Sequence, residues 1–475
     1  MPLLFKNLEP KAVWQHFEAI NAIPRASTKE EQIIQYMIDF GNTLGLETSV
    51  DPIGNVIIKK PATLGKENSP IMVLQGHLDM VHQKEATSTF DFETQGIDMY
   101  VDGDWVKAKG TTLGADNGIG VAAIMAVLSS DNVSHPAIEA LFTIDEEMGM
   151  TGAEALKNNQ LSGSILLNLD SEEEEEIIIG CAGGVDVEIK ETLSTEVADE
   201  SYDFYELKLN GLAGGHSGVE IHLNRANAIK VLAIILSKIE TRIATISSGT
   251  LTNVIPRYGN TIVAVKSTYD IQEVINRIQQ ELRNQFSTTD AALSISLNKL
   301  NTAYNVLTNE AQIAFLNALN EIPNGVHSFT EGMPELVQTS NNIARIKLEN
   351  GIYNIACHTR SSVDVERDEL VAKIKNIFNT ATVKEVGPYP GWKPKPNSNL
   401  LSTAKQCFKE LHNKDAQVKS IHAGLECGIL SGTFPNMEMI SFGPNIRGAH
   451  SPEERLQISS TQKFWEFLIQ LLKKI

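Results

Sequence analysis

Four apolar runs of strand length, NVIIKK, PIMVLQGHLD, AIEALFTIDEE and SILLNLD, follow one another between residues 55 and 170. A fully apolar helical stretch, IGVAAIMAVLSS, separates the second from the third. Strands without polar alternation are buried on both faces, so the pattern implies an α/β fold with a mostly parallel, helix-covered sheet. Upstream, Ile33, Ile34, Met37 and Ile38 form one helical stripe, with Ser27 or Thr28 as the expected N-cap.

At 475 residues the chain exceeds what one core serves, and its texture changes twice. After EEEEEIIIGCAGGVDVEI the strand and helix patterns become longer and more polar. The run VGPYPGWKPKPNSN, residues 386–399, packs four prolines and two glycines together and reads as a linker. Beyond it come a helix, the strand MEMISFG, and a terminal helix with Phe464, Phe467, Leu468, Leu471 and Leu472 on one face. The expected organisation is a catalytic domain in two parts, 1–185 and 390–475, around an inserted α+β domain, 186–389. Glu172 to Glu176 reads as a solvated, self-repelling turn.

A formal net charge of −19 argues against nucleic acid or an anionic membrane surface as partner. Cys181, Cys357, Cys407 and Cys427 form no C-x-x-C pair or dense framework, which points to a reducing compartment and away from a cysteine metal site. The opening residues lack a basic start followed by a long apolar core, and no window approaches eighteen uninterrupted apolar residues. A cytoplasmic protein is expected.

The strand ends of the first domain carry the chemistry. The second run finishes in His77 and Asp79, the third in Glu146 and Glu147, and the fourth in Asp170. Asp116 stands in the loop TTLGADNGIG before the apolar helix, and His450 in GPNIRGAHSPEE after the last strand. Open parallel sheets gather ligands outside the carboxyl ends of their strands, so these segments should converge. Crowded carboxylates and imidazoles repel and desolvate one another at a cost that cations remove. Histidine and carboxylate without thiolate suit zinc, with cobalt or manganese as alternatives, and disfavour calcium. Two histidines and three carboxylates exceed one tetrahedral ion and suit two ions sharing a carboxylate. GADNGIG does not meet the G-x-G-x-x-G spacing of a dinucleotide loop.

In their order, GHLDMV, GADNGIG, DEEMGMTGA, NLDSE and GPNIRGAHSPEE resemble the dizinc family of aminoacylases, glutamate-type carboxypeptidases and dipeptidases, and most of all its aminoacyl-histidine dipeptidase branch. The likeness covers nearly the whole chain, GGHSGVEIH included. The resemblance implies two Zn²⁺ ions bridged by Asp116, with His77 and Asp170 completing one site and Glu147 and His450 the other. It implies Asp79 as the carboxylate that orients a ligand, Glu146 as general base toward a hydroxide between the metals, and a cis Asp116–Asn117 peptide bond. It further implies His216 as an oxyanion donor supplied across a homodimer built on the inserted domain. Asn253 and Arg360 would hold the substrate's terminal carboxylate, with Arg225 and Gly424 as weaker candidates.

The expected activity is hydrolysis of dipeptides with free ends, Xaa-His types included. On the same scaffold the rivals are a tripeptide aminopeptidase and an N-acyl-amino-acid deacylase. An inactive homologue acting as a binding protein would be expected to have lost Glu146 or a ligand, and a metal-storage protein would not need a free glutamate beside one.

Overall fold

In the computed structural model, which describes residues 4–85 and 87–475, the chain divides into two compact units. One comprises Met1–Gly180, Trp392–Ser420 and Leu425–Ile475; the other comprises Cys181–Gly391 and Ile421–Gly424.

The first unit is built on a sheet of eight strands in the order Glu47–Val50, Val56–Lys60, Ile138–Thr143, Met72–His77, Ile165–Asn168, Glu438–Ser441, Glu176–Cys181 and Gln417–Ile421. Its centre is parallel: Met72–His77 runs with both Ile138–Thr143 and Ile165–Asn168, which in turn runs with Glu438–Ser441. Antiparallel strands extend both margins. Every residue of Met72–His77 and Ile138–Thr143 is buried, as a strand covered on both faces must be. The helix Ala115–Ser129 is buried from Asn117 to Leu128 and packs on the Met72–His77 strand and on the helix Lys11–Asn21. Each large aliphatic side chain so enclosed contributes roughly 1.5–3 kcal/mol. The terminal helix Ile458–Lys474 buries Phe464, Phe467, Leu468, Leu471 and Leu472, with the Phe467 ring edge-on to Phe408 of the helix Asn399–His412.

Two local expectations are corrected. The helix Glu31–Thr43 starts after Glu30 without a side-chain cap, because the Ser27 hydroxyl donates instead to Asp79 Oδ2 at 2.8 Å. The Glu172–Glu176 run is not self-repelling, since cations from distant segments separate its charges. Glu173 pairs with Arg447 and Glu174 with Lys463, both at 2.8 Å, while Glu175 meets Lys414 and Glu176 meets Lys419.

The second unit centres on a nine-stranded sheet. Eight strands run in the order Ser294–Leu300, Tyr202–Asn210, Gly259–Lys266, Arg242–Ser248, Met333–Glu349, Ile352–Ser361, Gly183–Thr192 and Thr382–Tyr389, and Gly325–Thr330 pairs with Met333–Glu349. Helices Ala228–Lys238, Ile271–Gln285, Asn309–Glu321 and Asp364–Ile377 share one core with it. The expected linker begins inside this sheet, because Thr382–Tyr389 is an edge strand. The register skips between Val386 and Tyr389, so Pro388 falls where no ladder bond is needed. Among the described residues no helix is long and apolar enough to cross a membrane.

Candidate metal centre

Most of the cluster forms at the strand ends or within four residues beyond them, where the backbone is free to turn inward. His77 closes its strand, Asp79 follows two residues later, and Asp170 lies two beyond Asn168. Thr143 ends the third strand, and the chain then turns through Asp145, at φ 55, to present Glu146 and Glu147 from a turn.

Asp116 stands between the two histidines. His77 Nε2 lies 3.1 Å from Asp116 Oδ1 and 3.4 Å from Asp170 Oδ1. His450 Nε2 lies 3.2 Å from Asp116 Oδ2 and 3.1 Å from Glu147 Oε2. One carboxylate thus gives one oxygen to each of two groups, His77–Asp116–Asp170 and Asp116–Glu147–His450, whose ligand-type atoms lie within 4.8 Å of one another. Glu146 approaches His77 and Glu147 within the same limit.

The electrostatics are those of a crowded, dry acidic site. Burial opposes the charged form of His77, yet Asp170, Asp116 and Asp79 outweigh it and hold the ring's pKa well above its usual value. Hydrogen bonds to Asp116 and Glu147 raise His450 to about 11. Burial, reinforced by the carboxylate of Asp116, pushes Asp170 up to about 7, and Glu146 also stands well above the carboxylate range, burial first and its acidic neighbours next. Asp116 itself is held below its ordinary value: burial works against it, and both histidines prevail.

Divalent cations fit this donor set. Among the described residues Glu147 Oε1 is buried with no hydrogen-bond donor, and Asp170 Oδ1 is buried with only the long 3.4 Å approach of His77 Nε2, so carboxylate lone pairs face the site unsatisfied. Imidazole nitrogens and carboxylate oxygens without a thiolate match zinc-class ions, and a carboxylate shared by two groups matches a pair of them.

The supports of this cluster were only partly foreseen. Asp79 accepts from the backbone N–H groups of Glu146 and Glu147 at 3.0 and 3.2 Å, and its Oδ1 lies 3.3 Å from His77 Nδ1. It therefore fixes a histidine tautomer and a glutamate turn together. Glu454, in the quoted stretch HSPEE but given no role there, accepts from the N–H groups of Leu113, Gly114, Ala115 and Asp116 at 2.6 to 3.3 Å. Arg25, almost fully buried, donates to the carbonyls of Leu78, Asp79 and Gly114 and so ties the His77 and Asp116 loops together. Beneath them Gln75 links Asn168 to Glu426, and Glu426 also accepts from Thr143, joining three strand ends. Burial pushes Glu426 up to about 8. Burial and the charge of Asp116 do the same for Glu172, so the first glutamate of the run belongs to the site's surroundings. The Asp116–Asn117 bond is cis, and Asn117 Nδ2 donates to the Leu169 carbonyl at 2.6 Å, holding the Asp116 and Asp170 loops together.

Glu454→Ala removes the acceptor of four N–H groups, three of them buried. We expect it to lower unfolding stability by about 2–4 kcal/mol, read by urea denaturation. A change under about 0.5 kcal/mol would show that water replaces the carboxylate without loss.

The remaining expected residues, His216, Asn253, Arg225, Arg360 and Gly424, all belong to the second unit. His216 Nδ1 accepts from the N–H groups of Gly218 and Val219 at 3.1 and 3.2 Å, which leaves the proton on Nε2 and makes that nitrogen a donor. Burial lowers its pKa, and Arg360 adds to the effect. His422, buried and bonded to Ser340 at 2.7 Å, is depressed to about 3 by burial and then by Arg360. Arg360 is 5% exposed, and among the described residues its buried Nε has no partner. Arg225 is engaged locally, with Glu220 at 3.0 Å and the Gly214 carbonyl at 2.6 Å. Asn253 is exposed, and its carbonyl accepts from Ser217 N at 2.8 Å. Gly424 closes the segment Ile421–Gly424.

The sheet and the cluster of carboxylates and histidines at its carboxyl edge fit a metallopeptidase scaffold. The chain belongs to peptidase family M20/M25/M40, whose model matches residues 73–474. It is 39% identical over 476 residues to the cytosol non-specific dipeptidase of Escherichia coli (strain K12), covering 98% of each chain. It is similar to the crystal structure of aminoacylhistidine dipeptidase from Vibrio alginolyticus, with a TM-score of 0.95 and 38% identity over 99% of this chain and 98% of that one. Aminopeptidase PepT from Bacillus cereus shares the fold, with a TM-score of 0.58 at 16% identity over 98% and 99% of the two chains.

Proposed function

We propose that this protein is a metal-dependent dipeptidase that hydrolyses dipeptides with free amino and carboxyl ends, Xaa-His dipeptides among them. The observation that carries the reading is the Asp116 carboxylate set between two histidines, one oxygen to each. The relatives named dipeptidases, matched over nearly the whole chain, supply the substrate class.

His77, Asp116 and Asp170 would hold one divalent ion and Asp116, Glu147 and His450 a second, with zinc the expected metal and cobalt or manganese as alternatives. Such ions acidify water and polarise a peptide carbonyl. Glu146 takes the proton of the attacking water and passes it to the leaving amine, a role served by a carboxyl whose pKa stands above the usual range. Asp79 keeps His77 Nδ1 protonated, which would leave Nε2, directed at Asp116 and Asp170, free to be a ligand, and keeps the Glu146–Glu147 turn in place. The Nε2–H of His216 donates to the carbonyl oxygen as negative charge develops there. Arg360 and Asn253 receive the terminal carboxylate, the guanidinium fork matching its two oxygens, with Arg225 and Gly424 at the margin of that subsite. The protein acts in the cytosol and as a homodimer built on its second unit.

The test is a screen of zinc-loaded enzyme against dipeptides, tripeptides and N-acetyl amino acids. Dipeptides should be cleaved with the highest kcat/KM, and chelation should abolish turnover. Preference for tripeptides or acetylated substrates, or activity that survives chelation, would contradict the reading.

A further inference from the structure

The stretch read from sequence as a linker ends its strand in Tyr389, a residue that the roles above leave unused. In the register of the sheet, Arg360 faces Gly184 from one side and Tyr389 faces the same glycine from the other. Gly184 has no side chain, so the two can meet across it: Arg360 Nη1 donates to Tyr389 Oη at 2.9 Å. A Cβ at position 184 would stand 2.5 Å from that oxygen.

Two strand positions from Arg360, on the same face, His358 lies opposite Asp186 in register and bonds it through Nδ1 at 2.5 Å. With Nδ1–H directed at Asp186, His358 Nε2 is the acceptor, and Tyr389 Oη lies 3.5 Å from it. The protons of this chain all point away from Arg360, leaving the tyrosine oxygen's lone pairs toward the guanidinium. The backbone of Tyr389 is held in turn, its carbonyl accepting from Arg367 at 2.9 Å. Arg360 needs such a prop because it is nearly fully buried and, among the described residues, its Nε has no partner.

We infer that Tyr389, backed by His358 and Asp186, is a positioning residue that aims Arg360 at the substrate's terminal carboxylate and so sets the preference for free carboxyl ends. The inference rests on the role proposed for Arg360. It assigns to Tyr389 no contact with the reacting atoms.

The test compares kcat/KM for a dipeptide with that for the same dipeptide as its C-terminal amide, in the zinc-loaded enzyme. Tyr389→Phe keeps the ring and removes the hydroxyl. It should lower the dipeptide-to-amide ratio about tenfold, with the loss in KM rather than kcat. Gly184→Ala should reproduce that change, and Tyr389→Phe should add nothing in an Arg360→Ala background. If Arg360→Ala collapses the ratio while Tyr389→Phe leaves it within twofold, or lowers both substrates equally, the inference fails and the proposed function stands. If Arg360→Ala itself leaves the ratio unchanged, the carboxylate subsite is misplaced and the inference falls with it.

Discussion

Glu146→Gln should retain the metal content of the parent enzyme and lose about 10²- to 10⁴-fold in kcat toward dipeptides. The amide is nearly isosteric with the carboxyl, so the turn held by Asp79 through the backbone of residues 146 and 147 should persist. What disappears is the capacity to take and return a proton. Metal analysis beside steady-state kinetics separates the two effects. Full activity in the variant would remove Glu146 from the proton path, and loss of metal together with activity would make it a ligand, which its approach to His77 and Glu147 would then explain.

Asp116→Ala should have the largest effect of any single substitution, abolishing binding of both ions together and with it all turnover. The two oxygens of this side chain face different histidines, so one truncation takes a ligand from each group. It also leaves His77 and His450 without the carboxylate that lies between them. Truncating Asp170 or His450 should by contrast weaken one ion before the other, because each belongs to a single group. Titration of the apo-variants with zinc reads this directly. Retention of one tight site in Asp116→Ala would show that the carboxylate is not shared.

The convergence of the clustered residues was legible in sequence because a parallel sheet brings its strand ends together: apolar runs end, and the carboxylates and histidines follow at the carboxyl edge. His77, Asp79, Asp116, Glu146, Glu147, Asp170 and His450 needed only that topology to be named together. The residues that brace them were not legible, because their partners lie far along the chain. Glu454 clasps a loop some 340 residues away, and Glu426 meets Gln75 across 351. Arg25 shows the same limit, since an arginine beside a helix gives no sign of the carbonyls it will meet. The glutamate run misled for a related reason: its self-repulsion is real only if no cations arrive, and four come from Lys414, Lys419, Arg447 and Lys463. Ser27 likewise fits a cap by local rules but is drawn to Asp79, a buried acceptor that helix propensity cannot weigh. In the second unit, proline and glycine density marked residues 386–399 as a linker, although a register skip lets an edge strand absorb the first of them.

The most direct measurement is the number and position of metal ions in crystals of the protein grown with zinc, located by anomalous scattering at the zinc edge. The account predicts two peaks in each chain, one on either side of the Asp116 carboxylate, the first against His77 and Asp170 and the second against Glu147 and His450. A single ion, or ions bound only away from Asp116, would contradict it.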